Sequence, residues 1–405
     1  MRYLLGEHER ADDAFKAAKR LLGPGSPDSG RLALKQAKMS TRQGNYQQAV
    51  RRVTRALRAL ERVPGREAAA HRARLYVWYG WIRFNQDRPE ETIVWCRRGE
   101  QEAVKAGARD ALAQAYQFLD PAFDESGHIE QAVYSARALE IYEELGDLWQ
   151  QAITLNNMGV TAKALSRWND SRTYYDRALR LFETTGDRTS GCLAKYNIAE
   201  LLSDQGLYDE AEPLLREVTR VWRASGADTD AAEARRELGK LLGRRGEIEA
   251  ARELLESART EQVRSGQQNE VLTTDFRFAE LLVLAGDGSS ALELLDELLP
   301  RAAKLGATGL WPGLLRVAGS ALLQSGRVEE AGERLEEART VARERGDLYE
   351  ECLALQALGA LAQLSGEQAG RREWTLEDEF AALRERLGIV ALPRLPIPAS
   401  VTTTV

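Results

Sequence analysis

Apolar positions recur every three or four residues through most of this chain, as in Leu254, Leu255 and Ala258, or Leu292, Leu294, Leu295 and Leu298. That spacing is the stripe of an amphipathic helix, and the short alternating runs that strands need never form. Glycines cut the stripes at regular intervals. One series opens a string of Gly, any residue, an apolar residue, two polar residues and a small residue. It runs from Gly44 to Ala49, Gly127 to Ala132, Ser166 to Ser171, Gly206 to Ala211, Gly246 to Ala251, Gly286 to Ala291 and Gly326 to Ala331. A weaker copy starts at Asp87 and a degraded one at Gly366, and from Ser166 onward the step is forty residues.

A second series lags the first by about twenty residues: Gly65, Gly107, Gly146, Gly186, Gly226, Gly266, Gly306, Gly346 and Gly388. Glycine reaches the left-handed conformation that ends a helix and turns the chain. Two such signals per period predict two antiparallel helices of about four turns in each repeat. Small residues sit seven positions before the first glycine (Ala37, Gly80, Gly159, Ala199, Gly239, Ala279, Gly319, Gly359) and again five positions after it. Side chains this short at both places predict close crossing of the paired helices.

Leu155-Asn-Asn-Met-Gly159, followed by Ser166 to Ser171 and Arg177-Ala178-Leu179, resembles the tetratricopeptide repeat family in its longer variants. Such variants occur in bacterial regulatory proteins and kinesin light chains. The resemblance implies an all-α fold, a right-handed superhelical solenoid of antiparallel helix hairpins, over about residues 6 to 388. Recurring Gly-Asp pairs (Gly146-Asp147, Gly186-Asp187, Gly346-Asp347) and the ending Leu387 to Pro398 look similar to the C-terminal arrays of actinobacterial regulatory ATPases and nucleotide cyclases.

The expected organisation has three parts. Residues 1–24 match the second half of a repeat, an orphan helix; 25–388 hold nine hairpins; 389–405 form a disordered Pro- and Thr-rich tail. Asp120-Pro121 should kink or break its helix, because proline removes a backbone hydrogen bond, and so divide the array near 120–121. Arg371 in place of a small residue, and a polar last helix, mark the end of the stack.

Composition narrows the function. A net charge of −6 speaks against a nucleic-acid binder, which shows a basic face. Cys96, Cys192 and Cys352 are far apart and odd in number, so they form neither a metal pattern nor a disulfide framework, and a reducing cytoplasm fits best. No apolar stretch approaches membrane-spanning length. Phosphate-loop, HExxH and GxSxG patterns are missing, and His8, His71 and His128 fall at scattered phases. No catalytic, metal or cofactor site is expected.

In this fold the first helix of each hairpin lines the concave wall, and its outward positions fall three to ten residues before the turn glycine. Asn157 and, one repeat on, Asn197 match the family position whose amide holds a ligand's backbone, with Asn156 and Tyr196 beside them; an amide gives and accepts hydrogen bonds at once. Arg236, Lys240, Arg277 and Arg316 add a cationic stretch suited to carboxylates. Trp78 and Trp81 share the same phase and suggest an aromatic anchor. The expected function is a non-enzymatic scaffold that grips a peptide or protein segment, acidic or carboxylate-bearing ones included. The alternative is the sensory or regulatory arm of a multidomain ATPase, cyclase or transcriptional regulator.

Overall fold

The structure is a computed structural model that describes residues 27–364 and 371–397, together with Phe15 and Ala17. The described residues form nine helical hairpins. The first four are α1 (Pro27–Arg42) with α2 (Tyr46–Leu60), α3 (Arg66–Phe84) with α4 (Pro89–Ala106), α5 (Arg109–Glu125) with α6 (Ser135–Leu145), and α7 (Leu148–Ala164) with α8 (Trp168–Thr185). There follow α9 (Arg188–Asp204) with α10 (Tyr208–Ala224), α11 (Asp228–Arg245) with α12 (Ile248–Arg264), and α13 (Gln268–Leu284) with α14 (Gly288–Leu305). The last two are α15 (Trp311–Gln324) with α16 (Val328–Arg345), and α17 (Leu348–Leu364) with α18 (Arg371–Leu387).

Both glycine series do what their spacing predicts. Every described member has φ between 63° and 103°, and Asp87 and Ser166, which stand in for glycine, have φ of 56°. The aspartates after some of these glycines start the next helix. Asp147, Asp187 and Asp347 accept the backbone N–H three residues on, which satisfies an otherwise orphan donor. The small-residue columns mark true helix crossings: a Cβ built on Gly319 would lie 2.6 Å from Leu335 Cγ.

The chain divides into two compact units, residues 1–161 and 162–405, with the division inside α7. It does not fall at Asp120-Pro121. Pro121 lies inside an unbroken α5, and the consequence of the pair appears in the second helix instead. Asp120 takes the place of the small residue in its column, and its buried carboxylate accepts the N–H groups of Tyr134 (2.9 Å) and Ser135 (2.7 Å). This borrowed cap starts α6 at Ser135, so the first turn after Gly127 is a short 3₁₀ segment, Ile129–Gln131. Of the expected orphan half-repeat at 1–24, only Phe15 and Ala17 are among the described residues; Phe15 packs on Met39.

The second unit turns back on itself. Tyr349 of α17 packs at 5.4 Å against Trp168 of α8 with the rings tilted, and Ser166 Oγ donates to the Gly346 carbonyl at 3.1 Å. Trp168, Leu201, Cys352, Leu387 and Ile389 share one apolar cluster. Each large side chain buried here contributes about 1.5–3 kcal/mol. The segment after α18 is the largest departure from expectation. Residues 389–397 were expected to be disordered; they run as a docked, non-helical segment, and 398–405 lie outside the described residues.

Candidate polypeptide-binding surface

The first unit presents the aromatic side chains. Trp81 stacks on Phe118 (4.6 Å) and on Phe84 (5.3 Å), while Trp78 meets Phe118 edge-on at 6.3 Å. The ammonium of Lys38 lies 4.7 Å above the Trp78 ring, a cation–π contact. Both tryptophans are half-buried and pack between first helices of neighbouring hairpins. Asn156 is buried and Asn157 half-buried on α7 in this unit.

In the second unit the wall expected to face a groove is mostly buried. Asn197 is 7% exposed, Lys240 5% and Arg316 7%. The reason is the inward turn: the first helices face one another across the unit, and their charged side chains must neutralise each other. Lys163 binds Glu200 (2.9 Å) and Asp204 (3.1 Å). Lys240 binds Asp204 (2.9 Å) and Glu237 (2.6 Å). Arg244 binds Asp204 (3.0 Å) and Glu280 (3.1 Å) and donates to Tyr349 Oη at 2.6 Å. Arg277 and Arg316 also reach Glu280, and Arg316 reaches Glu350 at 2.6 Å. Five cations thus interleave with five carboxylates, a ladder with no net charge.

The ladder sets its own ionisation. Burial alone would raise the Asp204 carboxyl, but Lys240, Lys163 and Arg244 outweigh it and hold it far below the usual carboxylate range. Burial is likewise overcome at Glu280, where Arg244, Arg277 and Arg316 hold the carboxyl down. For Lys163, Glu200 and Asp204 outweigh the burial that would lower it. The residues of the expected cationic stretch all have acidic partners within the chain: Lys240, Arg277 and Arg316 belong to the ladder, and Arg236 pairs with Glu270. Tyr196 packs against Trp222 at 5.8 Å.

What the second unit does hold is its own C-terminal segment. Val390 and Ala391 donate their N–H groups to the Gln205 carbonyl (2.9 and 3.3 Å), and Gln205 Nε2 donates back to the Leu387 carbonyl (3.0 Å). Gln356 Nε2 donates to the Pro393 carbonyl (3.0 Å), and Gln324 Nε2 to the Pro396 carbonyl (2.8 Å). Gly206 is required for this path, since a Cβ there would lie 2.2 Å from the Ala391 oxygen. The amides that grip main chain are therefore Gln205, Gln324 and Gln356. Two of them sit one and two residues before a turn glycine, closer to it than the outward positions of the inner wall. Asn157 and Asn197 lie in different units, and each belongs to the wall of its own.

Family models described as tetratricopeptide repeat match residues 152–185 and 192–260. No curated protein matches the chain by sequence. Among solved structures, a Rap protein complexed with competence and sporulation factor is 14% identical with a TM-score of 0.68, covering 89% of this chain and 99% of that one. The Rap conjugation gene regulator of plasmid pLS20, in complex with the Phr* peptide, is 13% identical with a TM-score of 0.58, covering 90% and 99%. A signal transduction ATPase with numerous domains and a tetratricopeptide sensor, from Pyrococcus horikoshii, is 15% identical with a TM-score of 0.50, covering 70% of this chain and 43% of that one. Likeness at these identities concerns the fold alone. With the matched repeats and the hairpins on both sides of them, the chain carries tetratricopeptide repeats and is built as a helical solenoid of that type.

Proposed function

We propose that this protein is a non-enzymatic scaffold that holds an extended polypeptide segment, and that the second unit holds it along the rim formed by the ends of α9, α13 and α15 and the face of α17. One observation carries the reading. The chain's own residues 389–397 lie there, gripped through main-chain groups by Gln205, Gln324 and Gln356. Main-chain recognition by side-chain amides gives affinity for an extended peptide whatever its sequence, while pockets beside it supply choice. The Rap structures in complex with a factor and a peptide support the same class of partner for this fold. An acid-bearing ligand fits less well, because the four bases once assigned to it already have acidic partners.

Asn157 and Asn197 are a second proposed address, one in each unit. The two addresses separate in one experiment. The full chain is immobilised and challenged with an array of short peptides, beside Gln324→Ala/Gln356→Ala and Asn157→Ala/Asn197→Ala variants. The rim reading expects the glutamine pair to lose captured peptides and the asparagine pair to keep most of them. An array on which no peptide is retained by any of the three chains sinks the scaffold reading. A sensory or regulatory arm in a larger cytoplasmic regulator is a second reading, favoured by the fold likeness to the sensor-bearing ATPase.

A further inference from the structure

The segment beyond α18 has more character than a generic peptide. It reads Leu392-Pro393-Arg394-Leu395-Pro396-Ile397, an apolar residue before each proline and another at the end. Proline fixes φ near −65° and pushes the residue before it out of the helical region, so this stretch is extended before it docks. Little conformational freedom is then lost on binding.

The wall suits that pattern at both levels. The carbonyls taken by Gln356 and Gln324 both belong to prolines, whose nitrogens carry no hydrogen, so the wall needs only donors at these steps. The side chains find apolar seats. Leu395 packs against three clusters at once, around Val283 and Ala321, around Leu322 and Ala331, and around Leu335 and Leu358. Leu392 meets the cluster around Cys352, and Ile397 joins that around Leu322. Arg394, whose place in the pattern is unspecified, is exposed.

The segment is also poised to leave. Its root is fixed through Ile389, which is 5% exposed, and through the two N–H groups given to Gln205. Beyond the root Pro393 is buried, while Leu392, Leu395, Pro396 and Ile397 are only half-buried. Beside them a cleft of about 540 Å³ stays open, lined by Gln356, Gly359, Phe380, Arg384, Leu392 and Leu395 among others.

We infer that this rim selects a polypeptide partner of pattern apolar-Pro-x-apolar-Pro-apolar, and that Leu392 to Ile397 hold the partner's place in cis. The inference rests on the scaffold reading and names its ligand class. A cis occupant competes at an effective concentration of about a millimolar, so a peptide with an intrinsic Kd of about 10 µM would bind the intact chain roughly a hundredfold more weakly.

The test uses the full chain and a fluorescent peptide of residues 390–399, followed by anisotropy, with a thermal melt of each protein. Leu395→Asp releases the cis segment and should tighten peptide binding at least tenfold over the wild type. Leu395→Ala provides a milder release if the aspartate variant does not fold. Adding Gln324→Ala to either should weaken binding about three- to tenfold, the worth of one hydrogen bond. A peptide with both prolines replaced by Ala should bind more weakly to every chain.

Equal affinity for wild type and release variants, with no effect of Gln324→Ala, overturns the inference and leaves the scaffold reading to the peptide array. Equal binding of the proline-free peptide overturns the claimed pattern. Concentration-dependent dimers of the wild type that Leu395→Asp abolishes, seen by light scattering, overturn the cis assignment in favour of a segment exchanged between copies.

Discussion

Asp204→Asn is the sharpest perturbation of the second unit. The carboxylate receives Lys240 at 2.9 Å, Arg244 at 3.0 Å and Lys163 at 3.1 Å, and its side chain is 7% exposed. The amide keeps the volume and removes one negative charge, which leaves five cations, three of them buried, facing four carboxylates. Each of the three cations retains a second partner: Glu237 for Lys240, Glu280 for Arg244 and Glu200 for Lys163. The cost therefore belongs at the low end of the range for breaking a buried ion pair, about 3 kcal/mol. For a unit spanning residues 162–405 that is a fall in Tm of roughly 6–12 °C.

The pH dependence adds a sign. Folding depresses the Asp204 carboxyl, so its contribution is complete above the unfolded value near 4 and is lost as pH falls toward the folded value far below. The gap between wild type and variant should then be flat from pH 5 to 8 and shrink between pH 4 and 2. Because the pairs are buried, 1 M NaCl should leave the gap at pH 7 nearly unchanged. Urea melts at these pH values read it directly. A gap under about 1 kcal/mol at pH 7, or one that widens in acid, would refute the view of the ladder as a buried, balanced network.

Three further outcomes follow from single sites. Gly319→Ala should cost about 1–3 kcal/mol, since its Cβ would meet Leu335 Cγ at 2.6 Å; Gly326→Ala, with φ of 75° and open space around it, should cost only the strain of about 1 kcal/mol. Asp347→Asn should preserve the cap on Glu350 N–H and change the pH profile. Burial, then Glu350, push the Asp347 carboxyl up to about 6, so its favourable share is present below about pH 4 and lost as pH rises through 6. The variant should match wild type at pH 4 and exceed it by about 1 kcal/mol at pH 8, discounted for partial exposure, and paired melts would expose the opposite sign. Trp81→Ala removes the stack on Phe118 and Phe84 and should cost about 3 kcal/mol, read as an earlier melt of the first unit alone.

The hairpin lattice was legible because it is written in backbone chemistry. A positive φ admits few residues, so both glycine columns, and even Asp87 and Ser166 in their gaps, could be placed from spacing alone. Asp120 misled because its proline neighbour suggested a broken helix, whereas the carboxylate itself caps α6 from the preceding helix. The ladder was half legible. Glu200, Lys240 and Glu280 stand one repeat apart with alternating sign, as do Asp204 and Arg244, a pattern that signals mutual pairing rather than a cationic groove. The docked segment left no local signal. Its seats come from helices spread from Gln205 to Gln356, far apart in the chain, and only the turn of the second unit brings them together.

That turn also decides where a ligand can go. An open solenoid offers its inner wall, and the first helices then carry the binding residues. Here Tyr349 packs against Trp168 and Ser166 reaches Gly346, which brings the inner wall onto itself and makes its charges structural. A ligand seeking Lys240 or Arg316 would have to displace a buried carboxylate and leave it unpaired, at several kcal/mol. At the rim, a glutamine amide gives up one ordinary hydrogen bond for another as occupants exchange, a net change near zero. On the reading proposed above, the charged ladder holds the turn in place, and binding falls to the neutral amides of Gln324 and Gln356.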